Sequence, residues 1–151
     1  MTRSERMAPV QQVLEGSQQA RARELSDGQQ RLADAEAKLE ELRNYAGEYQ
    51  RTYKQRAESG TGVTKLRDFQ AFLARLEQAT TQQEKIVAAA REQVAAQRRN
   101  WQGAARQVKA VETVVDGWRS AEAKAGERRD QKDSDERAHQ AAARSQGSEA
   151  K

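Results

Sequence analysis

The chain has no cysteine, one proline and one histidine, and aromatics supply only 5% of its residues. Without cysteine there are no disulfides, no thiolate zinc sites and no thiol nucleophile. The one histidine, His139, stands near the C-terminus, cannot assemble a triad or a two-histidine metal site, and reads as an exposed helix residue. No stretch approaches the roughly 20 uncharged apolar residues that span a bilayer. The opening MTRSERMAPVQQVLEG lacks the apolar run of a secretory signal, so a cytosolic location is expected. Adjacent acids such as Glu40-Glu41 and Asp135-Glu136 point different ways on a helix. Gly60-Thr61-Gly62 lacks the GxxxxGK[ST] pattern of a phosphate loop. The sequence therefore reads as a non-enzyme with no cofactor and no metal.

What is present is charge. Charged residues make up 33% and apolar residues 36%, too little apolar material for a layered core but suited to long helices rich in Ala, Glu, Gln and Arg. The pI near 9.6 and net charge of +4 raise nucleic-acid binding as a candidate. However, the 27 basic residues are interleaved with 23 acidic ones, and no basic block feeds a zipper. Nucleic acid is not an expected partner.

From Leu66 to Trp118 an apolar or small residue returns at alternating steps of three and four, interrupted by Thr80, Gln83 and Gln97. A 3.5-residue period sustained this long is the seam of a coiled-coil helix. A second seam runs Leu25, Gly28, Leu32, Ala35, Leu39, Leu42, Ala46, Tyr49, Tyr53. Met7, Val10, Leu14, Ser17 and Arg21 are read as extending it upstream, with a slip of heptad phase between Leu14 and Leu25.

Between the seams lies Ser59-Gly60-Thr61-Gly62-Val63-Thr64. Glycine supplies the left-handed geometry that closes one helix, and Thr61 or Thr64 could cap the next. A short loop between long helices implies antiparallel neighbours. The expected fold is all-α, a single two-helix antiparallel coiled-coil hairpin. Helix one is placed at about 5–58, the turn at 59–63, helix two at about 64–140, and a frayed tail at 141–151. Folding about Gly60 pairs positions whose numbers add to about 122. Tyr53 then faces Phe69, Ala35 faces Val87, Gly28 faces Val94 and Trp118 faces Ser4, which leaves helix two unpartnered beyond about Ser120. Leu42 opposite Thr80 and Leu39 opposite Gln83 form a more polar middle. It is either plain tolerance of polar residues or a segment kept loose for partners.

The flanks differ. With Leu25 and Leu66 as heptad position a, the e columns (Gln29, Glu36, Arg43 and Gln50, facing Gln70, Glu77, Glu84 and Arg91) are all polar. The g columns carry Tyr45 with Phe72, Ala79 and Ile86. These residues either broaden the seam or form a docking surface, since apolar patches rimmed by polar residues mark interaction sites. The hairpin tip is basic, with Arg43, Arg51, Lys54, Arg56, Lys65 and Arg67 against Glu48 and Glu58.

Three segments carry a family resemblance. Asn44-Tyr45-Ala46-Gly47-Glu48-Tyr49 resembles the D-Y-x-x-E-Y stretch of FliJ, the coiled-coil component of bacterial flagellar type III export. The run from Asp68 to Ala79 is similar to that family's Y-Q-x-F-I-x-x-L-E-x-A stretch. Glu127 to Ala138 resembles its E-x-R-x-D-Q-K-x-x-D-E-x-A tail. The resemblance implies a monomeric cytoplasmic hairpin at the cytoplasmic face of the flagellar base, similar to the central stalk of rotary ATP synthases. It implies contact with the export ATPase hexamer FliI, the export gate protein FlhA and export chaperones, and with membrane only indirectly through the gate. The family's gate-binding patch falls on Leu42, Tyr45, Tyr49, Phe72, Leu76 and Ala79. Lys38 and Gln83 depart from it, where the family can show glutamine and histidine. The tail residues Glu127, Arg129, Asp130, Gln131, Lys132, Asp135, Glu136 and Ala138 are the implied contacts for the ATPase ring. A virulence-secretion counterpart of the same family and a generic scaffold or chaperone hairpin stay open as alternatives.

Overall fold

A computed structural model describes residues 1–149. It is 95% helical, with no strand among the described residues, and its elements are α1 (Arg3–Arg6), α2 (Ala8–Glu58) and α3 (Val63–Glu149). The fold class is the expected helical-hairpin coiled coil. Two compact units divide it: Gln18–Ala104, and Met1–Ser17 with Ala105–Lys151.

The first unit is closed by Gly60, whose φ of 81° is the left-handed conformation that favours glycine. Thr61 N–H donates to the Arg56 carbonyl at 3.2 Å and Ser59 N–H to that of Gln55 at 3.0 Å, so carbonyls at the end of α2 are satisfied before the chain reverses. Gly62, rather than Thr61 or Thr64, holds the cap position of α3, its carbonyl accepting from Leu66 N–H at 3.2 Å. Every seam residue from Leu25 to Tyr53 and from Leu66 to Ala104 is buried or half-buried. Leu39, Leu76, Val87, Val94 and Ala104 are the buried apolar side chains of this unit.

Its polar seam positions are ordered. Gln83 is buried, and its Nε2 donates across the hairpin to the Ala35 carbonyl at 3.0 Å. Thr80 returns its hydroxyl proton to the Leu76 carbonyl at 2.8 Å. With Leu39 buried beside them, the polar middle is a packed layer, which favours tolerance over looseness. A methyl added at Gly28 would overlap the Gln97 amide, so glycine lets that side chain lie against α2. Gly28 meets Gln97 and Ala35 meets Gln83, each within about one helical turn of the partner expected from the fold-back register. On the polar flank Arg43 pairs with Glu84 and Arg91 with Glu36, both at 3.2 Å and well exposed, so each stabilises by at most about 1 kcal/mol.

The second unit begins with a capping box. Glu5 N–H donates to Thr2 Oγ1 at 3.2 Å, and Thr2 N–H to Glu5 Oε2 at 2.9 Å. The helical turn breaks at Met7 because Pro9 has no N–H for the Glu5 carbonyl and its ring crowds it; the proline then sits in the first turn of α2. Ser4 is buried, and Met7, Gln11 and Leu14 are half-buried, as are Val108, Val111 and Trp118, while Val115 is fully buried. The upstream seam is thus corrected. Val10 is 43% exposed, Ser17 and Arg21 are exposed, and Gln11 and Gln18 take the inward positions. Ser4, Gln11, Gln18 and Leu25 keep one heptad phase, so no slip is needed.

Two further boundaries move. Pairing continues past Ser120, because Ser4 N–H donates to Glu122 Oε1 at 3.1 Å and Ser4 Oγ–H to Glu122 Oε2 at 2.6 Å. From Glu127 to Glu149 every side chain with a described burial is exposed, yet α3 stays helical beyond Gln140, where fraying was expected. Alanines at 138 and 141–143 supply high helix propensity, with Gly147 the one strongly unfavourable residue. Residues 150 and 151 of the expected frayed tail lie outside the described residues.

Candidate protein-docking site

In the first unit all three tyrosines and both phenylalanines of the chain gather near the turn. Tyr49, projecting from the α2 seam, meets Phe72 at 4.6 Å and Phe69 at 4.9 Å between ring centroids. Tyr53 lies 6.3 Å from Phe69, and its hydroxyl accepts from Gln70 Nε2 at 2.9 Å. The Arg56 guanidinium sits 5.4 Å over the Phe69 ring, so one basic tip residue is already engaged. The cluster reaches the surface through Tyr45. Its ring stands edge-on to Phe72 at 6.1 Å and tilted to Tyr49 at 6.2 Å, and the residue remains 48% exposed.

Heptad geometry explains the arrangement. Tyr49 and Phe69 are seam positions, whereas Tyr45 and Phe72 flank the seam on the side where an antiparallel pair brings both g columns together. The seam ring supports the flank ring, so the position of Tyr45 is set by packing within the chain itself. Farther along α3, Ala79 is half-buried and Ile86 is 47% exposed.

The six residues of the expected patch separate by burial. Tyr45 is open, Leu42, Tyr49, Phe72 and Ala79 are half-buried, and Leu76 is buried in the seam. Leu76 shapes the site from beneath and offers little surface. Ile86, outside the patch implied by the resemblance, belongs to the flank by exposure and phase.

In the second unit the tail residues Glu127, Arg129, Asp130, Gln131, Lys132, Asp135, Glu136 and Ala138 are all exposed along α3. Gln131 Nε2 donates to Asp135 Oδ1 at 3.3 Å, an ordinary i,i+4 pair. An open depression on one face is lined by Arg128, Gln131, Lys132, Asp135, Glu136 and His139. Its surface is solvated and mixed in charge. Sequence reading missed the Ser4–Glu122 clasp and the Arg3 guanidinium 4.9 Å over the Trp118 ring. The signal for the ordered N-terminus was Thr2-x-x-Glu5, a capping-box spacing. Among the described residues no helix is long and apolar enough to cross a membrane, and no three His, Cys, Asp or Glu residues are placed to hold a metal ion.

Fold and site together define a class, a two-helix coiled coil whose exposed features lie along helix faces. The family follows from the sequence itself. The family described as "Flagellar FliJ protein" matches residues 3–147, and the chain belongs to it. Membership makes it a component of the flagellar export apparatus. No curated protein and no solved structure matches the chain.

Proposed function

We propose that the chain is a non-enzymatic coupling element at the cytoplasmic face of the flagellar base. The flank around Tyr45 docks the export gate protein FlhA, the tail from Glu127 to Ala138 engages the ring of the export ATPase FliI, and the hairpin assists recycling of export chaperones. The observation that carries the reading is a half-exposed tyrosine on a preordered aromatic stack, on the one flank that lacks charge at that height. Aromatic anchors of this kind dominate interface energies because they bury much apolar area at little entropic cost. The tail suits a ring for a different reason: several equivalent subunits favour a solvated, charge-mixed surface over one fixed apolar patch.

The test is Phe72→Ala, paired with Tyr45→Ala, in titrations against the gate protein. Each should weaken binding by about 1–3 kcal/mol, roughly five- to 150-fold. Tyr45→Ala should do so with the thermal midpoint nearly unchanged. Loss of binding only in step with loss of melting would show that the rings serve the seam and not a partner.

A further inference from the structure

The second unit has a flank that the coupling role does not use. Glu15 and Glu112 line one side of its seam, where they border a small depression with Gln11, Leu14, Val108 and Val111. Glu5 and Asp116 fall on the same side by heptad phase. The opposite side has no acid between Arg3 and Ser17 or between Gln107 and Lys124 in its g and c columns. There Val10 is 43%, Val13 72% and Val114 48% exposed. The register set by Ser4 on Glu122 and Arg3 on Trp118 puts Val10 and Val114 at the same height. From Ala110 to Ala121 the α3 side carries, besides Val114, only Ala110, Gly117 and Ala121, and a methyl built at Gly117 would touch nothing within 4 Å. At its end the strip runs into a groove bordered by Arg3, Arg6, Trp118, Ala121 and Glu122, whose carboxylate is taken up by Ser4, and Lys124 follows Ala110 and Gly117 in their column.

Valine ridges over a floor of alanine and glycine let a helix axis approach to about 8 Å, the short end of helix packing distances. The basic end then selects the charge of whatever lies there. We propose that this flank binds one amphipathic α-helix of a partner protein, apolar along a single stripe and acidic in the turn that reaches Arg3, Arg6 and Lys124. Acidic residues are favoured in the first turn of a helix, so the occupant's N-terminus lies at this end and it runs alongside α2 in the same direction. A second copy of the chain fits poorly, because the one acid at the end of its own strip, Glu122, is already bound by Ser4 and leaves none to face these cations. A lipid surface fits poorly as well, since membrane-lying faces carry Trp, Phe or Leu with basic residues along their length. The residues assigned above to the ATPase ring begin at Glu127, beyond the strip, so the two surfaces can be tested apart.

The probes are two synthetic amphipathic helices of about 21 residues, three heptads long, with leucine on one stripe. One carries four glutamates in its first turn and the other four lysines. Each is titrated against the full chain by fluorescence anisotropy. The glutamate peptide should bind at least tenfold more tightly than the lysine peptide. Val114→Glu should remove most of that binding and Arg6→Glu should invert the preference. Both sites are exposed, so the melting midpoint should hold; Val10→Ser decides the matter if Val114→Glu unfolds the chain. Equal binding of the two peptides, or binding indifferent to Val114→Glu and Val10→Ser, overturns the proposal. So does a strip that binds phosphatidylserine vesicles and neither peptide, or one whose only Val114-dependent behaviour is dimerisation in sedimentation.

Discussion

Around Phe69 and Phe72, α3 carries aromatic side chains that meet Tyr45, Tyr49 and Tyr53 from α2. From Glu127 onward the same heptad frame carries Arg129, Lys132, Glu136 and His139, every one exposed. Both stretches are helical, and they are helical for different reasons. The first is held by burial across a seam, so its side chains are fixed and their exposed edges are preordered. The second is held by intrinsic propensity and i,i+4 pairs alone, which makes it marginal in isolation. A preordered aromatic edge suits one specific partner, whereas a solvated polar helix suits a partner that supplies the remaining order on contact.

The largest expected effect breaks the first half of this contrast. Tyr49→Ala removes the ring that meets Tyr45, Phe69 and Phe72 together. It should cost about 2–4 kcal/mol of stability, read as a lower midpoint in urea or thermal melts. A cost below about 1 kcal/mol would mean that the cluster packs around a hole without loss, and that the preordering of Tyr45 has another source.

Much of this was legible because a coiled coil writes its fold in a one-dimensional period. The seams, the turn at Gly60 and the fold-back register all follow from spacing. So does the apolar flank at Tyr45, Phe72, Ala79 and Ile86. The errors came where polarity and burial part company. Gln11 and Gln18 lie inward while Val10 lies outward, because the heptad phase of the whole helix outweighs one valine's preference for the seam. Gln83 is buried because its amide finds the Ala35 carbonyl, a partner that sequence does not display. Gln97 is the opposite case: its Oε1 is buried without a hydrogen-bond partner, lodged against Gly28. The extent of pairing at the N-terminus was missed because the apolar seam stops at Trp118, and the next residue in the phase of Val115 is the charged Glu122. It is instead the acceptor for Ser4.

That acceptor marks where the paired seam ends, and pH can probe it. Two bonds from Ser4, the hydroxyl first and then the backbone N–H, hold the Glu122 carboxyl below its ordinary 4.5. A carboxylate whose folded value is lowered stabilises the fold above its unfolded value, and that contribution is lost as pH falls through the folded one. Glu122→Gln should therefore lower the melting midpoint at neutral pH. The gap between variant and parent should shrink as pH drops from about 4.5 downward. A gap that stays constant from neutral to acid pH would mean the charge on Glu122 contributes nothing to holding Ser4.

The smallest effect on stability should come from the largest deletion. Ending the chain at Gly126 keeps Ser4, Glu122 and the whole buried seam, and removes only residues whose described side chains are exposed. Burial, not helix length, sets the stability of a coiled coil, so the midpoint should move by less than about 0.5 kcal/mol equivalent. Helical ellipticity should fall only in proportion to the residues lost. A cut at Ser120 is a different experiment, because it discards the Ser4 acceptor and should lower the midpoint as Glu122→Gln does. If the proposed coupling role holds, the chain ending at Gly126 should keep gate-protein binding, since the aromatic flank is untouched, and should lose any stimulation of the export ATPase. If it stimulates ATP hydrolysis as fully as the intact chain, the solvated helix is not the coupling element. If its melting midpoint drops sharply, the tail is held by contacts of its own, and the contrast between burial and propensity does not describe this helix.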